Sequence, residues 1–263
     1  MKSRNSQMIL NYQITTHDDS ILVPMVFIHG LFGSLSNLGM LARHFASQRT
    51  VIQLDLRNHG LSGHTDQHDY HLMSEDVLET LDSLNITKFV VVGHSMGGKV
   101  AMKLADIARG RVEQLVVLDI TPIQYHENHH AKIFEALLAV ERANVNSRSD
   151  ATKIMYEYLQ EEMVIQFLLK SFNKGKWLFN VQALYKHYQD ILYWEDLTPV
   201  DIPALFLRGG NSFYISKPEQ FAAIERQFTH ANVELIEGAG HWLHGEKPAQ
   251  VLEHMQAFLD AQQ

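Results

Sequence analysis

The sequence predicts an α/β fold: a mostly parallel central sheet with helices on both faces, and a helical lid inserted after the strand that ends at Asp119. Short apolar runs alternate with stretches whose apolar residues recur at helical spacing. A glycine-rich turn at 93–97 joins one apolar run directly to a helical pattern. The stretch 122–201 interrupts the alternation and shows helical patterns without evident strands between them.

The elements of this fold follow in order along the chain. Residues 8–15 alternate enough to form an edge strand. Buried strands are expected at 25–28, 51–54, 90–92, 115–118, 204–207 and 233–236. Helices are expected at 36–46, from Ser74 onward, and at 100–108, 218–228 and 248–259. In parallel sheets of this kind functional groups collect at the carboxyl ends of the strands.

We expect two structural units. Residues 1–121 and 202–263 form the α/β core, and residues 122–201 form a helical cap with helices near 130–142, 150–159, 161–171 and 181–190. An insertion that directly follows the end of a strand lies over that edge of the sheet. The cap should therefore cover an apolar pocket, for which we name Phe32, Phe172, Trp177 and Trp242.

Composition restricts the function classes. The chain has 263 residues, of which 46% are hydrophobic and 20% charged, so a large core forms without disulfides. The absence of cysteine removes thiolate catalysis and fits a cytoplasmic location. A net charge of −8 argues against nucleic-acid binding, and no run of 18 apolar residues suggests a membrane span. We expect a monomer or homodimer that acts on a small molecule.

Ser95 is the candidate nucleophile. It is the central residue of a Gly-x-Ser-x-Gly motif that lies between the apolar run 90–92 and a helix-forming stretch. A sharp strand-to-helix turn pushes such a serine off the sheet, while Gly93 and Gly97 let the strand and helix pass closely. The Met96 N–H, unpaired at the helix start, should point at the reacting oxygen.

A serine hydroxyl needs a base to remove its proton and a third group to orient that base. His241, in a glycine-rich loop beyond the last strand, is our choice for the base, with His244 as the weaker rival. His94 adjoins the nucleophile, but its side chain should point away from the Ser95 hydroxyl, so we interpret it as a packing residue.

Asp119 is the expected acid, because it ends the strand that follows the nucleophile strand and precedes His241 in the chain. Asp201 lies at the wrong end of its strand, and Glu237 is too close to His241 in sequence for a good hydrogen bond. Ser212 occupies another strand end but cannot hold a formal charge.

Two backbone N–H groups should form the oxyanion hole. Leu31 is expected to supply one donor beside Met96, with Phe32 as the runner-up. His29 should brace the loop that carries them.

A second motif competes with the serine site. Residues 126–130 read His-Glu-Asn-His-His and match the H-E-x-x-H zinc signature. No glycine-spaced third histidine follows, and the motif lies at a helix start, not within a helix. We therefore expect no metal site there, and retained activity in a chelator would dispose of it.

The segments 29–34, 55–62 and 93–99 resemble those of the α/β-hydrolase fold, most closely the small bacterial YbfF-type serine esterases. The similarity runs nearly end to end, including 167–172 and 203–212. It implies a cofactor-free esterase with Ser95, Asp119 and His241 as its triad and Leu31 and Met96 at the oxyanion hole. Most α/β-hydrolases carry the acid after the strand near Gly209. This chain has Asn211-Ser212 there, and in the YbfF-like group that departure goes with an acid at the Asp119 position.

The resemblance leaves related activities open. It implies acyl-CoA thioesters as substrates beside acyl esters, and Lys170, Lys174 and Lys176 in the lid are candidates for the CoA phosphates. A carbon–carbon bond hydrolase of related fold is an alternative enzyme, and a catalytically silent binding protein is the alternative outside enzymes. A haloalkane dehalogenase is disfavoured because its nucleophile would be aspartate. Ser212 is expected to support the triad by a hydrogen bond.

Overall fold

A computed structural model describes residues 8–262. Its strands are β1 Tyr12–Thr15, β2 Met25–Ile28, β3 Val51–Leu54, β4 Phe89–His94, β5 Val112–Leu118, β6 Phe172–Asn173, β7 Lys176–Trp177, β8 Val200–Gly209 and β9 Phe228–Ile236. Seven of them form the central sheet, in the order β1-β3-β2-β4-β5-β8-β9. β1 pairs antiparallel with β3, and the other neighbours in this sheet run parallel. The expected mostly parallel sheet is confirmed.

Helices cover both faces of the sheet. They are α1 Gly39–Ala46, α2 Tyr70–Ser83, α3 Met96–Ile107, α4 Ala131–Ala143, α5 Arg148–Met155, α6 Glu162–Leu169, α7 Val181–Lys186, α8 Tyr188–Leu192, α9 Pro218–Gln227, α10 Leu243–Glu246 and α11 Pro248–Asp260. Because side chains alternate along a strand, Val91 packs in the core shared with α2 and α3, while Val90 and Val92 pack in the core shared with α1 and α11. β2 and the first four residues of β4 are apolar at every position, since both faces of these strands are buried.

The segment between β5 and β8 contains α4 to α8 and a two-stranded hairpin, β6–β7. We expected no strands here, and that expectation was wrong for the hairpin. Its strands have two residues each, too few to show an alternating pattern, and its turn has Lys174 and Gly175 at φ 48° and 80°. The expected helix over 181–190 is interrupted at His187, between α7 and α8.

Several boundaries differ from those expected. α2 begins at Tyr70, not at Ser74, because the Asp69 side chain caps the helix by accepting from the Leu72 N–H at 2.8 Å. α1 begins at Gly39, and β1 is limited to Tyr12–Thr15. β8 and β9 start at Val200 and Phe228, earlier than the buried runs indicated, because the first part of both strands includes exposed or half-buried residues that break the apolar run.

No helix of residues 8–262 is long and apolar enough to cross a membrane.

Candidate active site

Ser95 sits at a strained turn between β4 and α3, with φ 54° and ψ −122°. A side chain on Gly93 would collide with the backbone of Gly97, and one on Gly97 would collide with the carbonyl oxygens of Ile28 and His29. The two glycines are therefore needed for α3 to start directly against β2 and β4. The turn places the Ser95 hydroxyl above the carboxyl edge of the sheet.

His241 lies across that edge from Ser95. Its Nε2 is 2.9 Å from the Ser95 Oγ, and its Nδ1 is 2.7 Å from the Asp119 Oδ2. A carboxylate only accepts, so Nδ1 carries the proton in the neutral ring and Nε2 accepts from the Ser95 hydroxyl. His244, the rival for this position, contacts His94 and makes no hydrogen bond to Ser95.

Asp119 follows β5, is fully buried and has φ 55°. Its N–H donates to the Leu207 carbonyl at 2.8 Å, which ties the strained residue to β8. Its Oδ1 accepts from the Gly209 N–H at 2.9 Å, and its Oδ2 accepts from the Ser212 hydroxyl at 2.5 Å. The structure thus brings Ser95, His241, Asp119 and Ser212 into one hydrogen-bonded chain.

The two expected oxyanion donors come from different elements: Leu31 lies in the loop after β2, and Met96 is the first residue of α3. Within residues 8–262, no carbonyl, carboxylate or other acceptor pairs with the Leu31 or Met96 N–H. The Phe32 N–H donates to the His59 Nε2 at 3.1 Å, so it is the less suitable of the two neighbours. His29 does brace the loop region: its Nε2 accepts from the Leu56 N–H at 3.0 Å.

Asp55 holds the same region from β3. Its carboxylate accepts from the Leu35 N–H at 2.7 Å, the Leu61 N–H at 2.9 Å and the Asn11 side chain at 2.8 Å. A side chain on Gly60 would collide with this carboxylate. The loops that follow β2 and β3 are therefore packed together as one unit.

Two clefts meet at Ser95, and Leu31 and His130 border both. The first cleft passes His241 and Trp242 and runs beneath α4 and α6, where Ile133, Phe167 and Leu168 line it. The second cleft passes Met96 and Ile120 and reaches Lys99 and a set of tyrosines. Those tyrosines are Tyr70, Tyr125, Tyr188 and Tyr214.

Of the residues expected to line the pocket, Phe32 and Trp242 border the first cleft. Phe172 and Trp177 lie outside both clefts. Their rings pack together at 4.9 Å in the β6–β7 hairpin, and the Trp177 indole donates to the Leu137 carbonyl at 3.2 Å. The side chains of Phe172 and Trp177 therefore pack inside the inserted segment, against its own elements, and do not face either cleft.

The candidate zinc motif has no helical geometry. α4 begins at Ala131, after the motif, so His126 and His130 do not share a helix face. His130 instead bonds the Tyr188 hydroxyl through Nδ1 at 2.6 Å, and burial lowers its pKa to about 4. Among residues 8–262 no group of three such side chains is arranged to hold a metal.

Sequence reasoning missed Lys99. Its ammonium is buried and donates to the Ile123 carbonyl at 2.8 Å and the Leu192 carbonyl at 3.4 Å. Burial lowers its pKa to about 7. The available signal was position, since Lys99 falls four residues after Ser95 and so shares its helix face. That position indicates only that Lys99 begins its side chain near the site; its burial is set by the tertiary structure.

His94 also does more than fill space. Its Nε2 lies 2.8 Å from the His241 carbonyl oxygen, and its ring is 4.8 Å from the His241 ring. The residue before Ser95 therefore holds the backbone of the loop that carries His241.

Comparison with known proteins places the chain in a family. Residues 23–248 match the model of the alpha/beta hydrolase fold family. The chain is 47% identical over 238 residues to Esterase YbfF of Escherichia coli K12, covering 90% of this chain and 93% of that esterase. It is 38% identical to the sn-1-specific diacylglycerol lipase ABHD11 of Xenopus laevis, covering 99% and 87% of the two chains.

Solved structures agree. A marine microorganism esterase superimposes with a TM-score of 0.90 at 31% identity, covering 96% of this chain and all of that one. Together with the parallel sheet and the serine at its strand-to-helix turn, these similarities show that the chain belongs to the α/β-hydrolase fold family and is a hydrolase of ester bonds.

Proposed function

We propose that the protein is a serine esterase that cleaves acyl esters through an acyl-enzyme on Ser95. The observation that carries the proposal is the chain of hydrogen bonds from the Ser95 Oγ through His241 to Asp119, at 2.9 and 2.7 Å. This arrangement suits a hydroxyl nucleophile, a general base and a carboxylate that fixes the tautomer of the base.

Acylation begins when the Ser95 oxygen attacks the ester carbonyl carbon and His241 Nε2 takes the hydroxyl proton. The carbonyl oxygen becomes an oxyanion, for which the Leu31 and Met96 N–H groups are the proposed donors. When the C–O bond to the alcohol breaks, the imidazolium returns its proton to the leaving oxygen. The alcohol departs and the acyl group stays on Ser95.

Deacylation repeats these steps with water. His241 Nε2 removes a proton from the water as its oxygen attacks the acyl carbon. The second tetrahedral intermediate collapses by breaking the bond to Ser95, and His241 protonates the serine oxygen. The products are a carboxylic acid and an alcohol. No external cofactor enters either half, and Asp119 stays ionised throughout.

The positions of the two clefts suggest where each half of the ester lies. His241 and Trp242 border the first cleft only, and Met96 and Lys99 border the second only. The leaving oxygen must receive its proton from His241, so we assign the alcohol to the first cleft. The acyl group then lies in the second cleft, beyond the oxyanion donors.

Acyl-CoA thioesters are alternative substrates for the same mechanism. Lys170 directly follows α6, and Lys174 and Lys176 lie in the β6–β7 hairpin. None of these three lysines, the candidates for binding the CoA phosphates, borders either cleft. The geometry therefore favours acyl esters with compact alcohols over CoA thioesters. The same chemistry at Ser95 would cleave either bond.

The test is kcat/KM for acyl esters of two to sixteen acyl carbons beside the matching CoA thioesters, with Ser95→Ala and an exposed serine variant, Ser216→Ala, in parallel. Removal of the nucleophile should lower kcat by about 10⁴-fold or more. Ser216→Ala should match the wild type. A fluorophosphonate should label the wild type and leave Ser95→Ala unlabelled, and full activity in Ser95→Ala would reject the mechanism.

A further inference from the structure

The first cleft has two chemically different walls. Its cap side comes from α4 and α6 and is apolar, with Ile133, Val164 and Phe167 among its residues, apart from His130, whose Nδ1 bonds the Tyr188 hydroxyl. Its core side carries polar side chains that take no part in the proton transfers proposed above. These are Asn37, His94 and His244.

The ring of His94 has a defined tautomer. Its Nε2 lies 2.8 Å from the His241 carbonyl oxygen, which can only accept, so Nε2 carries the proton. Burial and the neighbouring histidines hold the pKa of His94 well below its usual value, so the ring is neutral. The Nδ1 atom is then a lone-pair acceptor, and within residues 8–262 it has no donor.

His244 lies against His94, with ring centroids 4.4 Å apart, and is nine-tenths buried. Burial lowers its pKa to about 3, so this ring is also neutral. Its Nδ1 is buried without a hydrogen-bond partner in the described part of the chain. A buried orphan N–H costs more than an orphan lone pair, so the proton belongs on Nε2, the nitrogen left to face the cleft.

Asn37 adds a second donor. Its Oδ1 accepts from the Ser34 N–H at 2.5 Å, which directs the carbonyl side of the amide into the loop. Its NH₂ group has no acceptor among residues 8–262 and lies in the wall of the first cleft. The polar wall thus combines one neutral acceptor with two neutral donors and no charged group.

We infer that the first cleft selects esters whose leaving alcohol carries a further hydroxyl group, bound by His94 Nδ1 as acceptor and by His244 Nε2–H as donor. This inference rests on the proposed ester hydrolysis and on the assignment of the alcohol to the first cleft. A hydroxyl both donates and accepts, so it can satisfy both ring nitrogens at once. The apolar residues on the cap side of the cleft would contact the carbon atoms of the same alcohol.

The absence of charge on this wall identifies the class of leaving group. A phosphate or carboxylate on the alcohol would need a cation or several N–H donors to replace its hydration. The wall, as formed by residues 8–262, offers no cation and only two neutral groups that donate an N–H, those of Asn37 and His244. A polyol needs only neutral partners, since each of its hydroxyls exchanges one set of hydrogen bonds for another.

The experiment compares three butanoate esters that differ only in the alcohol: propyl, 3-hydroxypropyl and 2,3-dihydroxypropyl. All three form the same acyl-enzyme, so a difference in kcat/KM reports acylation, in which the alcohol still occupies its cleft. The rate of alkaline hydrolysis of each ester is measured as well, and dividing kcat/KM by that rate corrects for differences in the intrinsic reactivity of the esters. The wild type should prefer the hydroxylated esters by about fivefold to tenfold, the effect of one or two neutral hydrogen bonds.

His244→Phe keeps a flat ring and removes the donor, so the ratio of hydroxylated to propyl ester should fall toward one. His244→Gln retains an N–H donor and should keep more of the preference. His230→Phe is the matched control, because His230 is exposed near the start of β9, at the opposite edge of the sheet from Ser95. It should leave the ratio unchanged.

A wild-type ratio near one would overturn the inference while leaving ester hydrolysis intact. An unchanged ratio in His244→Phe, or an equal loss in His244→Gln and His244→Phe, would overturn the role of the His244 donor. A different result would reject the proposed function itself: the Ser95→Ala variant would still hydrolyse all three esters.

Discussion

Asp119 illustrates how much one buried carboxylate depends on its neighbours. Its Oδ2 is shared by His241 and Ser212, and its Oδ1 accepts from the Gly209 backbone. A fully buried carboxylate is stable only when its lone pairs are used. We therefore propose that Ser212, which cannot act as the acid itself, orients the carboxylate that His241 contacts.

Ser212→Ala should lower kcat by about tenfold with little change in KM. The substitution removes one hydrogen bond to the ionised Asp119. Such a bond contributes about 1.5–3 kcal/mol, and only part of that free energy should change the barrier for proton transfer at His241. Steady-state kinetics on one good ester measures both constants.

Ser212→Thr retains the hydroxyl and should recover most of the lost kcat. Two outcomes would contradict the role of Ser212: an unchanged kcat in the alanine variant, or an effect confined to KM.

At the scale of elements, the two ends of the inserted segment are held together by core side chains. Gln227, at the end of α9, is fully buried. Its Oε1 accepts from the Trp194 indole and the Leu197 N–H, both at 3.0 Å, and its Nε2 donates to the Pro122 carbonyl at 2.8 Å. Lys99 ties the same two ends from α3 through its carbonyl acceptors. The division into a core and a cap over 122–201 remains our prediction, and these contacts mark its junction.

Gln227→Leu should lower the free energy of unfolding by about 2–4 kcal/mol. Leucine fills similar space but leaves the Trp194 and Leu197 donors and the Pro122 acceptor buried without partners. Urea unfolding followed by tryptophan fluorescence measures the change, and Trp194 itself reports on this junction.

The matched control is Gln182→Leu. Gln182 is exposed on α7, and within residues 8–262 its side chain bonds only that of Glu141, so its loss should cost less than about 0.5 kcal/mol. Equal effects of the two substitutions would show that the buried position of Gln227 is not what matters.

At the scale of the whole molecule, buried neutral histidines are spread across the carboxyl edge of the sheet. Desolvation by burial is the main cause that lowers the pKa of His68 and His244 to about 3 and those of His59 and His94 well below the usual value. Such groups bind protons in the unfolded chain near pH 6.5 but not in the native protein.

Native stability should therefore fall as pH drops below about 6.5. The unfolded state gains protons that the native state does not, and each such histidine costs about 2 kcal/mol at pH 5. Asp76, whose pKa burial raises, works in the opposite direction but is a single carboxyl group. The free energy of unfolding should be lower at pH 5 than at pH 7.5 by at least about 2 kcal/mol.

Urea titrations at several pH values measure this change. A stability that is constant or higher at pH 5 would mean that these histidines are protonated in the native protein, or that other groups offset them.

Much of the fold could be predicted because its signals are local. The strand at 25–28, the strand at 51–54 and the turn at Ser95 are short apolar runs or glycine-rich joints that depend on adjacent residues. The errors have two causes. The β6–β7 strands have two residues each, too few to show a pattern. The early start of β9 and the packing of Trp177 against the Leu137 carbonyl depend on distant partners, which no local pattern reveals.

By itself the sequence determined the α/β architecture, the order of its elements, and the pairing of Ser95, Asp119 and His241 as residues to be tested, because parallel strands bring their carboxyl ends to one edge. Only the tertiary structure decided that two clefts meet at Ser95, that His94 and His244 form a neutral polar wall, and that Lys99 and Gln227 hold the ends of the inserted segment. Tautomers, orphaned nitrogens and buried cations are set by contacts between residues far apart in the chain, which spacing alone does not encode.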